Sequence, residues 1–116
     1  MTVQEALNEL LNVSADIAQA AVLDAEGCLL GASGLVAEEA LGEAAGRLWL
    51  TAGRIAERLG KADLDQIEVC SESGAVFVVR EGEHSIVALT GSRPVSGLVF
   101  YDLRACLHDA FPEEVA

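Results

Sequence analysis

Positive charge and aromatic rings are what this chain has least of. Seven Lys and Arg stand against nineteen Asp and Glu, a formal net charge of -12 that repels a phosphate backbone or an anionic membrane and argues against nucleic acid as a partner. Aromatics supply only 4% of the residues while hydrophobic types reach 52%, so a core must be assembled from Ala, Leu, Val and Ile, and a disordered chain is excluded. Long apolar runs are missing as well. The longest uncharged stretch, Gly27 to Ala37, falls short of the roughly 18 residues that span a bilayer and carries Gly31 and Gly34 inside it. The opening Met1-Thr2-Val3-Gln4-Glu5 lacks the basic-then-apolar pattern of a secretory leader, which predicts a cytoplasmic protein with no membrane insertion.

Recognisable catalytic and ligand-binding patterns are equally scarce. Cys28, Cys70 and Cys106 are odd in number and lie far apart with no C-x-x-C pair, so they are expected to be reduced thiols serving as small core residues. Gly60-Lys61 is followed by Ala62, which breaks the phosphate-binding G-x-x-x-x-G-K-[ST] pattern. His84 and His108 stand apart from each other and from the cysteines, giving no metal-ligand spacing, and both are expected at the surface. A pair such as Cys70 with His84 on neighbouring strands is the remaining route to nucleophilic catalysis, and nothing local marks either residue as activated. The expectation is a protein that is not an enzyme, with no catalytic, cofactor-binding or metal residue and no cofactor.

At 116 residues the chain has room for one domain, spanning 1–116 with an ordered core of about 3–111. Thr2 and Glu5 form a capping-box pattern ahead of Val3, Leu7, Leu10 and Leu11, which predicts a short amphipathic helix ending near Val13. Ala18 to Leu23 and Cys28 to Ala32 have strand length and flank Asp24-Ala25-Glu26-Gly27, a hairpin signal. Val36 to Leu59 reads as a long helix, acidic at its start and basic at its end, stopped by Gly60. Gln66 to Glu72, Ala75 to Arg80 and Ser85 to Thr90 then predict a three-stranded meander. Within it, Val76 to Val79 is apolar on both faces and hence central, and the alternating first run is hence an edge. After Gly91-Ser92-Arg93-Pro94, the residues Val99, Leu103, Cys106, Leu107 and Ala110 recur at helical spacing. The element order is α-β-β-α-β-β-β-α.

On a helical wheel the long helix shows two apolar stripes. Ala37, Leu41, Ala44, Leu48, Ile55 and Leu59 form one, assigned to the chain's own core. Gly42, Ala45, Gly46, Trp49, Ala52, Gly53 and Ala56 form the other, small apart from one tryptophan. Helix-interior glycines cost about 1 kcal/mol each relative to alanine, which points to close approach of another backbone. Either a loop of the same chain covers this stripe or a second copy of the helix does. In the second case Trp49 anchors a two-fold contact and the half-covered strand around Ile67 and Val69 pairs with its mate.

The chain resembles the roadblock / dynein light chain domain family. The resemblance rests on the hairpin Val22-Leu23-Asp24-Ala25-Glu26-Gly27, the alanine-rich helix through Gly60, the meander, and the closing Gly97-Leu98-Val99-Phe100-Tyr101-Asp102-Leu103-Arg104. It implies an α/β (α+β) domain whose five-stranded antiparallel sheet carries the long helix on one face and the terminal helices on the other. It also implies homodimers joined through the long helix and the third strand. Bacterial members similar to this one are partners of small Ras-like GTPases, among them gliding-motility and polarity regulators. The resemblance therefore implies a homodimeric regulator that binds such a GTPase and modulates its hydrolysis or nucleotide state. Other members are non-catalytic scaffolds of signalling complexes, the alternative reading. Leu50, on the polar side of the long helix, and Arg93, in the loop before the last helix, are the candidate GTPase contacts. An arginine acting in trans on a phosphate must project from such a segment. A small-molecule sensor would need an enclosed pocket, which scarce aromatics and dispersed polar residues argue against.

Overall fold

The computed structural model describes residues 1–33, 38–61 and 64–114, without the side chains of 38–42 and 114. Its elements are α1 (Val3–Val13), β1 (Ile17–Leu23), β2 (Leu29–Ser33), α2 (Glu38–Arg58), β3 (Gln66–Cys70), β4 (Ala75–Glu81), β5 (His84–Thr90) and α3 (Ser96–Ala110), followed by a 3-10 turn at Pro112–Glu114. The expected order is observed. The expected helix positions Val36 and Ala37 lie outside the described residues.

Local chemistry explains where elements start and turn. Thr2 Oγ1 accepts the Glu5 amide at 3.1 Å while Glu5 Oε1 accepts the Thr2 amide at 3.0 Å, the reciprocal cap of α1. These hydrogen bonds favour the ionised carboxyl and hold Glu5 below its ordinary value. Between β1 and β2, Asp24 Oδ1 accepts the amides of Glu26 and Cys28, both at 2.9 Å, and Gly27 closes the turn at φ 84°, a conformation open to glycine.

The strands form one antiparallel sheet in the order β2-β1-β5-β4-β3. β3 is an edge, as its one-sided alternation predicts. β4 is interior as expected, although the middle position belongs to β5. Alternation along each strand divides the core in two. Ala20, Val22, Phe77, Val79, Ile86 and Ala88 meet α1 through Leu7 and Leu10, and α3 through Val99, Leu103, Cys106 and Leu107. On the other face Leu23, Val78 and Val87 meet α2, with Leu29, Ile67 and Val76 around them.

Candidate interaction face

The functional candidates lie mostly on α2, and the sheet receives this helix by an unexpected side. Ala45 and Ala56 are buried, and Leu48 and Trp49 pack half-buried on Leu23, Val78 and Val87. Ala44 is exposed, and Ile55 and Leu59 are 56% and 68% exposed. Of the stripe assigned to the core, Leu48 meets the sheet while Ala44, Ile55 and Leu59 do not, and part of the small-residue stripe faces the sheet in their place. Small side chains let the helix axis settle close over a sheet already filled by branched residues, and one tryptophan occupies the remaining width. Ala37 of the expected core stripe lies outside the described residues, as do the side chain of Leu41 and the surroundings of Gly42.

The rest of the small stripe looks outward. A Cβ added at Gly46 or Gly53 would meet no atom within 4 Å. Their neighbours in this chain therefore do not require glycine at either position. Trp49 sits between them with the Arg80 guanidinium of β4 over its ring, 4.6 Å from the centroid. Two open grooves flank this pair. One of about 520 Å³ runs past Gly46, Leu50 and Ser85 to the Asp24–Gly27 turn. The other, about 570 Å³, is bounded by Gly53, Ala56, Glu57, Lys61 and Leu64. Leu50 is exposed at the rim of the first groove, and on β3 Ile67 packs half-buried under α2 while Val69 is exposed.

Arg93 lies elsewhere. It is exposed beside Ser92, Ser71 and Glu72, at the end of the sheet opposite the groove that Leu50 borders. The fold does not bring the two candidate GTPase contacts together. Arg93 has φ 58°, the left-handed region that costs an L-residue roughly 1 kcal/mol or more.

Several sequence expectations need correction. Cys106 is buried, and burial together with Asp109 pushes its thiol up to about 12, whereas Cys28 and Cys70 are exposed and do not serve the core. Cys70 donates to Glu68 Oε2 at 3.1 Å, and this bond to a carboxylate raises the thiol's pKa. Cys70 aligns through Ala75 with Thr90, while His84 is at the other end of β5, roughly 20 Å away at 3.4 Å per residue. They do not form a catalytic pair. Neither histidine is a bare surface group: His84 stacks on Phe111 with ring centroids 3.6 Å apart, and His108 Nε2 lies 2.6 Å from Glu81 Oε2. Arg104, one turn before His108 on α3, also reaches Glu81. It donates to Glu81 Oε1 at 2.7 Å and Gln66 Oε1 at 2.6 Å, tying α3 to β4 and β3. No local signal could have found this cluster, because its members come from three elements.

Among the described residues no group of three or more His, Cys, Asp or Glu could hold a metal ion, and no helix is long and apolar enough to cross a membrane. What the α2 face offers is shape: one mainly apolar groove, a second bordered by the charged Glu57, Lys61 and Arg80, an anchored aromatic and two open glycines.

The fold is shared with several solved structures. A Roadblock/LC7 domain from Streptomyces avermitilis superposes with a TM-score of 0.84 at 18% identity, covering 100% of both chains. MglB of Myxococcus xanthus gives 0.81 at 15%, covering 96% of this chain and 95% of that one. Profilin II of Acanthamoeba castellanii gives 0.72 at 14%, covering 97% and 98%. Identities this low speak to fold alone, and a profilin among the matches shows how widely the architecture is shared. No curated protein matches the sequence. The family model described as Roadblock/LC7 domain matches residues 2–90, which take in the hairpin, α2 and the meander but not the closing stretch from Gly97. On that match, the chain belongs to the Roadblock/LC7 domain family.

Proposed function

We propose that this protein is a homodimeric regulator of a small Ras-like GTPase, binding the GTPase and modulating its hydrolysis or nucleotide state. Family membership and the likeness to MglB support the class of function. The observation that carries the dimer is the pair of open glycines, Gly46 and Gly53, beside Trp49 on α2. Keeping glycine inside a helix where its own chain leaves room for a side chain is costly unless something outside comes close. The proposed interface comprises Gly42, Ala45, Gly46, Trp49, Ala52, Gly53, Ala56, Ile67 and Val69. Ala45 and Ala56 contribute by setting the depth of α2 on its own sheet, and exposed Ile55 and Leu59 add apolar area that a second protomer would cover. Leu50 and Arg93 are proposed GTPase contacts on separate parts of the surface. Regulation would act by positioning the GTPase's switch loops, which needs no catalytic residue here.

The test pairs GTP hydrolysis by a Ras-like GTPase, with and without this protein, with binding to its GDP and GTP-analogue forms. Faster turnover and preference for the GTP form support the regulator, and Arg93→Ala then tests that side chain. Equal binding with no rate change means the scaffold reading, and absence of binding removes the GTPase as partner. The dimer is tested separately by Gly46→Leu. This substitution meets open space within the protomer, so an unchanged light-scattering mass would reject the face.

A further inference from the structure

The opposite side of the sheet carries a second apolar surface that neither the core nor the proposed dimer uses. Val95, Leu98 and Tyr101 follow one another at intervals of three along the start of α3, 62%, 54% and 70% exposed, while the inward side of the helix is Val99, Leu103, Cys106 and Leu107. Residues three apart are neighbours on a helix surface, so they form one stripe. Asp16 Oδ2 accepts the Val95 amide at 3.1 Å, which fastens the chain just beyond α1 to the start of α3 and brings exposed Val13 to the same end.

The charge that α1 and α3 bring to this side is mainly acidic, with exposed Arg93 a basic exception at the Val95 end. α1 carries Glu5 and Glu9 and no basic residue, Asp16 follows it, and α3 adds Asp102 and Asp109. The one arginine of α3, Arg104, is drawn to the sheet by Glu81 and Gln66, and Arg93 stands beside Ser71 and Glu72. Exposed Leu and Tyr on a regular helix, framed by carboxylates, match an amphipathic helix whose apolar side is flanked by Lys and Arg. A second copy of this chain is a poor occupant. A two-fold contact through this face would set Glu9, Asp16, Asp102 and Asp109 against their own equivalents.

We infer that the α1/α3 face is a docking surface for a basic amphipathic helix of another protein, with Leu98 and Tyr101 as its apolar anchors. The surface lies across the sheet from α2 and the proposed dimer face, while Arg93, one of the two proposed GTPase contacts, precedes Val95 by two residues. A dimer through α2 leaves this surface facing outward on both protomers.

The probe is a fluorescein-labelled Leu/Lys peptide of about 18 residues, five helical turns with leucine on one side. The same peptide with Glu for Lys, and a shuffled Leu/Lys sequence without a one-sided pattern, serve as comparisons. Fluorescence anisotropy with the full chain at 0.1 M salt should show saturable binding of the patterned basic peptide alone. Leu98→Ser/Tyr101→Ser should weaken it at least about tenfold, as loss of central anchors does. Glu9→Lys/Asp102→Lys should weaken it comparably, whereas Leu50→Ser/Ile55→Ser on α2 should leave it unchanged. Five of the six positions are exposed and Asp102 is half-buried, and circular dichroism checks the fold of each variant. Absence of binding, equal binding of the shuffled peptide, indifference to the Leu98 and Tyr101 changes, or sensitivity to the α2 pair overturns the proposal. A fall in light-scattering mass on Leu98→Ser/Tyr101→Ser overturns it too, since the occupant would then be a second copy.

Discussion

One face of the sheet is closed by two helices and the other by one, and they are closed by different means. Between the sheet and α1/α3, large side chains interlock: Phe77 is fully buried, Phe100 meets it edge-on at a centroid distance of 5.0 Å, and Leu7, Leu103 and Ile86 fill the space around them. Under α2 the fit is made with alanines and a half-buried tryptophan, and Leu50, Ile55 and Leu59 remain in solvent. Stability should therefore be concentrated on the first face. The second keeps its apolar area available for association, as a surface whose binding energy has not been used in folding.

The sharpest break of this contrast comes from truncating one aromatic on each side. Phe77→Ala should lose about 3–5 kcal/mol in chemical denaturation, whereas Trp49→Ala, half-buried and held by Arg80, should lose about 1–2 kcal/mol. Equal losses would show that α2 is as much a part of the core as α3. Next in size is Arg104→Ala, which removes a partly buried guanidinium between α3, β4 and β3 and should cost about 1–2 kcal/mol. Arg104→Lys should recover only part of this, since an ammonium lacks the fork that reaches Glu81 and Gln66 together.

Gly46→Ala sharpens the comparison from the other side. At concentrations where the chain is monomeric it should raise stability by up to about 1 kcal/mol, because a helical glycine is replaced where a Cβ meets nothing. A loss there would mean that the protomer itself needs the glycine. The smallest expected effect lies at the start of α1. Glu5→Gln should lower stability at neutral pH, where the ionised carboxylate accepts the Thr2 amide. The folded value is depressed below 4.5, so this contribution is present above the ordinary carboxylate range and fades as pH falls through the folded value. Melting curves of the two proteins should converge in acid.

Periodicity carried most of the fold. The Thr2/Glu5 pattern, the Asp24-to-Gly27 turn and the alternation of Gln66 to Cys70 each express a local rule, and each appears where its rule places it. Which side of α2 faces the sheet was not legible, because the helix has two apolar stripes and the choice is made by the depth a sheet of branched residues allows. Hydrophobicity favoured Ile55 and Leu59, and shape favoured Ala45 and Ala56. The Glu81–Arg104–His108 cluster was invisible for another reason, since its residues meet only through strand register and helix docking. Family membership rested on the order of individually common signals, and the match over residues 2–90 draws on those same segments up to β5.

The sheet order also places the two exposed thiols usefully. Cys28 lies immediately before β2 and Cys70 ends β3, the two outermost strands, while Cys106 is shut in the core. Four strand spacings of about 4.8 Å separate those edges, so the native chain carries one attachment point at each side of a span of roughly 19 Å. They also sit at opposite ends of the strands, Cys28 near the start of β5 and Cys70 level with Thr90 at its end, so probes on these thiols would measure the diagonal of the sheet within a protomer. In an assembly joined at β3, the Cys70 probes would be the close pair and the Cys28 probes the distant one, a built-in ruler for how two copies meet.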